Sequence, residues 1–272
     1  MAFIETATGL FLPEDLAVDV RRDQVVEEIW RADFLRVVYA CPLYGSGSNP
    51  ERRLDWYPEL VGTATAVEHD GRRLLVTAAH VLKDDRKCDR ELLLLAGEEP
   101  EPLPPTWRYS SRDPDDFAVL ELDAELAAKL TGTCFYGLEG AVASPPGNVR
   151  STTFVGYPCS WNKPEFRLRR IRPEPVTVWA TKTAPQLPGW LDATFDRRSA
   201  KYSDGRRGCP DLHGISGGAI WEHAVNYEGV VTKLIGITVE HENNILRGHD
   251  LRYILRGVDQ HRRTMSFSTE VQ

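Results

Sequence analysis

Hydrophobic positions along this chain fall mostly into short runs that alternate with polar ones, bounded by glycine, proline and aspartate, which is the pattern of a β-rich protein. Residues 61–68 and 73–78 read as two strands joined by His69-Asp70-Gly71-Arg72, where Asp-Gly favours a two-residue hairpin turn. Residues 92–96 and 117–122 are further apolar runs, and 123–130 reads as a short helix or turn. A second block begins near residue 152, with strands at 152–157, 175–182, 192–195, 219–221 and 234–239. Helical spacing occurs at both ends of the chain. Val25, Val26, Ile29 and Trp30 share one face ahead of a strand at 34–39, and Leu251, Ile254, Leu255 and Val258 share one face within 250–262. Residues 42–58 read as a loop, and 97–105, crowded with proline and glutamate, as a rim loop.

Composition narrows the class. A chain of 272 residues with 42% hydrophobic content suits one two-lobed domain or two small ones. A net charge of −7 speaks against general nucleic-acid affinity. No apolar run approaches the ~20 residues of a membrane span, and the first twenty residues lack the basic and apolar regions of a secretory leader. The five cysteines are scattered without a C-x-x-C pair, so the expectation is a cytoplasmic protein with reduced thiols, no metal and no cofactor.

Three segments carry chemistry. Residues 77–81 read Thr-Ala-Ala-His-Val, 115–122 read Asp-Asp-Phe-Ala-Val-Leu-Glu-Leu, and 214–218 read Gly-Ile-Ser-Gly-Gly. Each alone has a plain reading: a core histidine, a strand cap, a flexible turn. Together they supply a nucleophile, a base titrating near neutrality and a carboxylate to orient it. Glycines around Ser216 would let a substrate backbone approach closely. Gly-x-Ser-x-Gly also fits the nucleophile elbow of α/β-hydrolases, which are esterase-type enzymes, but that elbow needs a strand before it and a helix after it. Neither is read here.

In the order His, Asp, Ser, these segments resemble the trypsin-like serine peptidases of the chymotrypsin fold, most closely the bacterial HtrA-like branch, over roughly residues 60–255. The resemblance implies His80, Asp116 and Ser216 as catalytic residues, with Asp115 as the competitor of Asp116 and a solvated turn residue otherwise. It implies an oxyanion hole from the N–H groups of Gly214 and Ser216. The implied fold is all-β: two antiparallel six-stranded barrels with an N-terminal and a C-terminal helix. The boundaries would be 1–60 for the N-terminal helix and lead-in, 61–145 and 146–249 for the barrels, and 250–272 for the final helix and tail.

The resemblance also implies a substrate pocket with Pro210 at its floor, Asp211 beside it, and a wall of Thr238, Val239, Glu240 and His241. Acidic lining favours Lys or Arg at the cleaved position. His241 would instead suit an acidic side chain, and the proline floor a small apolar one. Ile215 stands where trypsin has the acidic residue that locks its activated state, so control would fall to loops or to an activating partner protein. The basic stretch 166–172 is either a solvated strand face or a docking patch for an acidic partner, and 196–207 either a tolerated surface loop or, as the resemblance implies, one that shapes the specificity pocket and orders when a partner binds. The alternative to a protease acting on a protein or peptide substrate is a binding module that keeps the fold and cleaves nothing.

Overall fold

A computed structural model describes residues 3–5, 11–13, 40–45, 59–86, 92–96, 99–104, 109–111, 115–130, 134–138, 149–162, 173–185, 187–197, 201–202, 209, 211–226, 229–242 and 244–269. The sequence-predicted helix and strand at 23–39, the basic stretch 166–172, most of 196–207, and Pro210 lie outside them.

Two short strands, β1 (Phe3–Glu5) and β2 (Phe11–Pro13), pair with each other. The first large sheet holds β3 (Ala40–Gly45), β4 (Glu59–His69), β5 (Arg72–Ala78), β6 (Leu92–Ala96), β7 (Glu99–Pro102), β8 (Tyr109–Ser111), β9 (Phe117–Glu121) and β10 (Tyr136–Gly137). Helix α1 (Ala79–Arg86) follows β5, and α2 (Ala124–Lys129) follows β9. The order across this sheet is β7-β6-β3-β4-β5-β9-β8, with β10 added in parallel to β4. The second sheet holds β11 (Val149–Gly156), β12 (Val176–Thr183), β13 (Trp190–Phe195), β14 (Lys201–Tyr202), β15 (Ala219–Asn226), β16 (Gly229–Glu242) and β17 (Ile245–Asp250), and α3 (Leu251–Thr269) follows it.

The second sheet is a closed six-stranded barrel. Its order runs β11-β15-β16-β17-β13-β12, and β12 pairs back onto β11, with β14 hanging from β12. The first sheet curls into a half-barrel: among the described residues, no ladder joins its end strands β7 and β8. The described residues are mostly β, with one closed barrel, one curled half-barrel sheet and a C-terminal helix. This fits the two-barrel arrangement expected from the motifs, with that one departure.

Burial explains why the central strands read as near-continuous apolar runs. Ala64 and Ala66 of β4, Leu75 of β5, and Ala118 and Leu120 of β9 fill the inside of the first sheet. Their alternates Val67, Leu74, Val76, Phe117 and Val119 face the other way, into a core shared with Trp221, Leu234 and Ile237 of the barrel and with Leu251, Ile254, Leu255 and Val258 of α3. Both faces are therefore covered. The interior of the barrel is filled by Phe154, Val178, Leu191, Phe195, Ile220 and Leu246.

Three readings need correction. Residues 42–45 are part of β3, not of a loop. Pro42 is tolerated because the β3–β6 ladder begins only at Leu43, opposite Leu94, so no partner there needs the missing N–H. Residues 99–102 form β7, an edge strand paired only with β6, which is where proline is admitted. Residues 245–250 form β17, for which no strand was read. The hairpin turn is as expected, with Asp70 and Gly71 both at positive φ (51° and 68°).

Candidate active site

His80 and Asp116 are brought together by sheet register. β5 and β9 are antiparallel neighbours whose ladder ends at Ala78 opposite Phe117. One step further, the Ala79 N–H donates to the Asp116 carbonyl (3.1 Å). The carboxylate of Asp116 then holds His80 at two points. Oδ1 accepts the His80 backbone N–H at 2.8 Å, and Oδ2 lies 2.6 Å from the ring Nδ1. That contact assigns the proton to Nδ1 and leaves Nε2 as the basic nitrogen. The His80 side chain is 40% exposed, so its free edge is open to an incoming group.

Ser216 sits in the turn that leads into β15, and β4 grips this turn. The Thr63 N–H donates to the Ser216 carbonyl (2.8 Å), and Thr63 Oγ1 donates to the Gly214 carbonyl (2.9 Å) while accepting the Tyr157 N–H (3.0 Å). Thr65 Oγ1 donates to the Gly217 carbonyl (2.9 Å). Gly214 and Gly217 have φ of +100° and +86°. A Cβ on Gly217 would lie 1.9 Å from the Thr63 carbonyl oxygen and 2.2 Å from Thr77 Oγ1, and one on Gly214 would lie 2.5 Å from Cys159 Sγ. Only glycine meets both the backbone and the space requirement at these positions. Gly217 thus rests on Thr77, three residues before His80. On the same strand as Thr63, a Cβ at Gly62 would lie 2.6 Å from Val81, the neighbour of His80.

The N–H groups within the turn divide into used and unused. Ile215 donates to Leu212, Gly217 to Thr238 and Gly218 to Ile215. Among the described residues, those of Gly214 and Ser216 have no acceptor. The Ser216 hydroxyl donates to the Val239 carbonyl at 3.0 Å rather than to His80. A strand follows the turn, not a helix, so the α/β-hydrolase elbow does not describe it.

The residues read as pocket lining are distributed as follows. Asp211 is exposed, and its Oδ1 accepts the His213 N–H (3.1 Å). Thr238 and Val239 are buried, with the Thr238 N–H on the Gly218 carbonyl (2.7 Å). Glu240 is tied to Arg247 (2.8 Å), which removes one negative charge from the acidic wall. His241 is exposed on β16. Partial desolvation of its ring by neighbouring side chains lowers its pKa below the ordinary 6.5, with Asp211 opposing and Arg197 and His213 reinforcing the shift. Burial likewise pushes the Cys209 thiol up to about 11, against Arg197, so Cys209 stays protonated and is no nucleophile at neutral pH. Asp115, read as a solvated turn residue, accepts a hydrogen bond from the Tyr253 hydroxyl (3.0 Å).

Thr63 was not singled out from the sequence. Its signal lay in Thr63 and Thr65 alternating with Ala64 and Ala66, which puts polar groups on one face of a strand that is buried from Gly62 to Val67. Among the described residues, one group has a donor set suited to a metal: His69, Asp70 and Asp259, all within 4.8 Å. Arg72 Nη2 already lies 3.2 Å from Asp259 and 3.5 Å from Asp70, so the guanidinium supplies the positive charge there.

No family model and no curated protein matches this chain. Solved structures do resemble it in chain path. One, from work on the coupled folding and binding of the Sesbania mosaic virus VPg protein, is 18% identical, with a TM-score of 0.43, and the match covers 78% of this chain and 87% of that one. Another, a serine protease of a human pathogenic astrovirus, is 12% identical, with a TM-score of 0.41, covering 79% of this chain and 90% of that one.

Proposed function

We propose that this protein is a serine endopeptidase of the chymotrypsin-like type, cleaving a protein or peptide substrate through Ser216, His80 and Asp116. The two-point hold of Asp116 on His80 carries this reading, because it leaves a basic Nε2 on an exposed ring edge, just past the end of the strand whose Thr77 abuts Gly217 of the serine turn. In the reaction the Ser216 hydroxyl turns from the Val239 carbonyl toward Nε2. His80 takes its proton as Oγ attacks the substrate carbonyl. The N–H groups of Gly214 and Ser216 then meet the oxyanion, a contribution of about 3 kcal/mol or more for each donor. Collapse expels the amine, which receives the proton from His80. Water, deprotonated by the same imidazole, then releases the acid from the acyl-enzyme.

The T-A-A-H-V and G-x-S-G-G segments support the HtrA-like branch, and a control partner acting on the loop before the turn is part of the same proposal. Asp211 favours Lys or Arg at the cleaved position, now without help from Glu240. His241 is the competitor, favouring an acidic residue. A peptide-library cleavage assay tests activity and preference together. Wild type is expected to cleave after Lys or Arg, and Ser216→Ala or His80→Ala to lose about 10⁴-fold in kcat, no more in the double variant than in either single one. Undiminished cleavage by His80→Ala would reject the mechanism. Cleavage after acidic residues only would reject the preference.

A further inference from the structure

Asp116 is followed by a residue that α3 and β17 hold from behind, and preceded by another that α3 holds. On one side, the Tyr253 hydroxyl donates to Asp115 Oδ1 at 3.0 Å. On the other, Phe117 is 1% exposed, and its ring stands edge-on to His249 (centroids 5.7 Å apart) and to Tyr253 (6.5 Å). His249, fully buried, is itself enclosed by Trp190 at 4.3 Å and stacked on Tyr253 at 6.3 Å. Tyr253 also closes over Gly189, where a Cβ would lie 2.7 Å from its ring. The aromatic ring of Tyr253 is thus seated by Gly189 just before β13, by His249 of β17 and by Phe117, while its hydroxyl reaches the segment that presents the carboxylate to His80.

We infer that Tyr253 is a positioning residue for the reaction, fixing Asp116 through its hydrogen bond to Asp115. This rests on the serine-peptidase reading above. The physical basis is the short tether: Asp115 and Asp116 share a peptide plane, so weakening the hold on the first carboxylate loosens the backbone that aims the second. Small errors of aim at a proton-transfer site lower turnover without altering how substrate is bound.

The test is a double-mutant cycle on the full chain with the peptide substrate that wild type cleaves best. Tyr253→Phe, which keeps the ring and its packing, is expected to lower kcat about 10-fold with KM unchanged. Asp115→Ala should lower kcat at least as much, and the double variant should be no worse than Asp115→Ala, because the Tyr253–Asp115 bond is already lost there. Asp115→Asn retains an acceptor oxygen and is expected to recover most of the lost rate. Thermal midpoints of all variants are recorded alongside. Full kcat in Tyr253→Phe, or additive losses in the double variant, would overturn the assignment. Failure of wild type itself to cleave or to react with a serine-directed fluorophosphonate would instead reject the peptidase reading.

Discussion

At the scale of single residues, Thr63 holds together the turn that carries the proposed nucleophile. One buried side chain and its amide bind the Ser216 and Gly214 carbonyls and receive the Tyr157 N–H. Thr63→Val keeps the shape but leaves the Gly214 carbonyl and the Tyr157 amide without that partner in a water-free place. The expected cost is about 2–4 kcal/mol of stability, from two buried polar groups left unmet, together with a fall in kcat as the Gly214 N–H loses its aim. Urea unfolding and steady-state kinetics check both, and an unchanged midpoint with unchanged kcat would show that the grip is incidental. His80, Asp116 and Ser216, the proposed catalytic residues, could be singled out because residue type and local sequence alone suggest their chemistry. Thr63 could not, because its role depends on a turn 151 positions away.

At the scale of elements, α3 clasps the two sheets together. Leu251, Ile254, Leu255 and Val258 enter the core that also holds β4, β5, β9, β15 and β16 side chains. Its start is capped by Asp250, whose Oδ1 accepts the Arg252 N–H (2.8 Å). Ile254→Ala should destabilise the fold by about 2–5 kcal/mol, and the exposed control Arg256→Ala by no more than about 0.5 kcal/mol, as measured by denaturant unfolding. Equal effects would mean that the helix is not integral to the core. The spacing of these four residues made the helix visible in the sequence. β17 was missed because Ile245–Asp250 reads ILRGHD: Arg247, Gly248 and His249 break the apolar alternation, and only pairing with β13 and β16 makes the segment a strand. β3 and β7 were masked by prolines whose missing donors fall outside the ladders.

At the scale of the whole molecule, the core beneath the site carries a pH dependence. His249 is fully buried, and burial lowers its pKa below the ordinary 6.5, with the Gly189 backbone and the Asp115 and Asp116 carboxylates only partly offsetting the shift. The unfolded chain therefore binds a proton at this residue before the folded one does. Stability is full above about pH 6.5 and is lost as pH falls from there toward the depressed folded value. Thermal midpoints measured at about pH 7.5 and 5.5 should drop for wild type and drop less for His249→Leu, and identical drops would assign the effect elsewhere. The same scale holds the central claim, that the two sheets bring a working serine nucleophile to a histidine base. The most direct measurement is covalent labelling by a fluorophosphonate, read as adduct mass on the intact chain. One adduct per chain is expected on Ser216 in wild type, none in Ser216→Ala, and strongly slowed labelling in His80→Ala and Asp116→Asn. Labelling that proceeds equally in His80→Ala, or that never occurs in wild type, would contradict that claim.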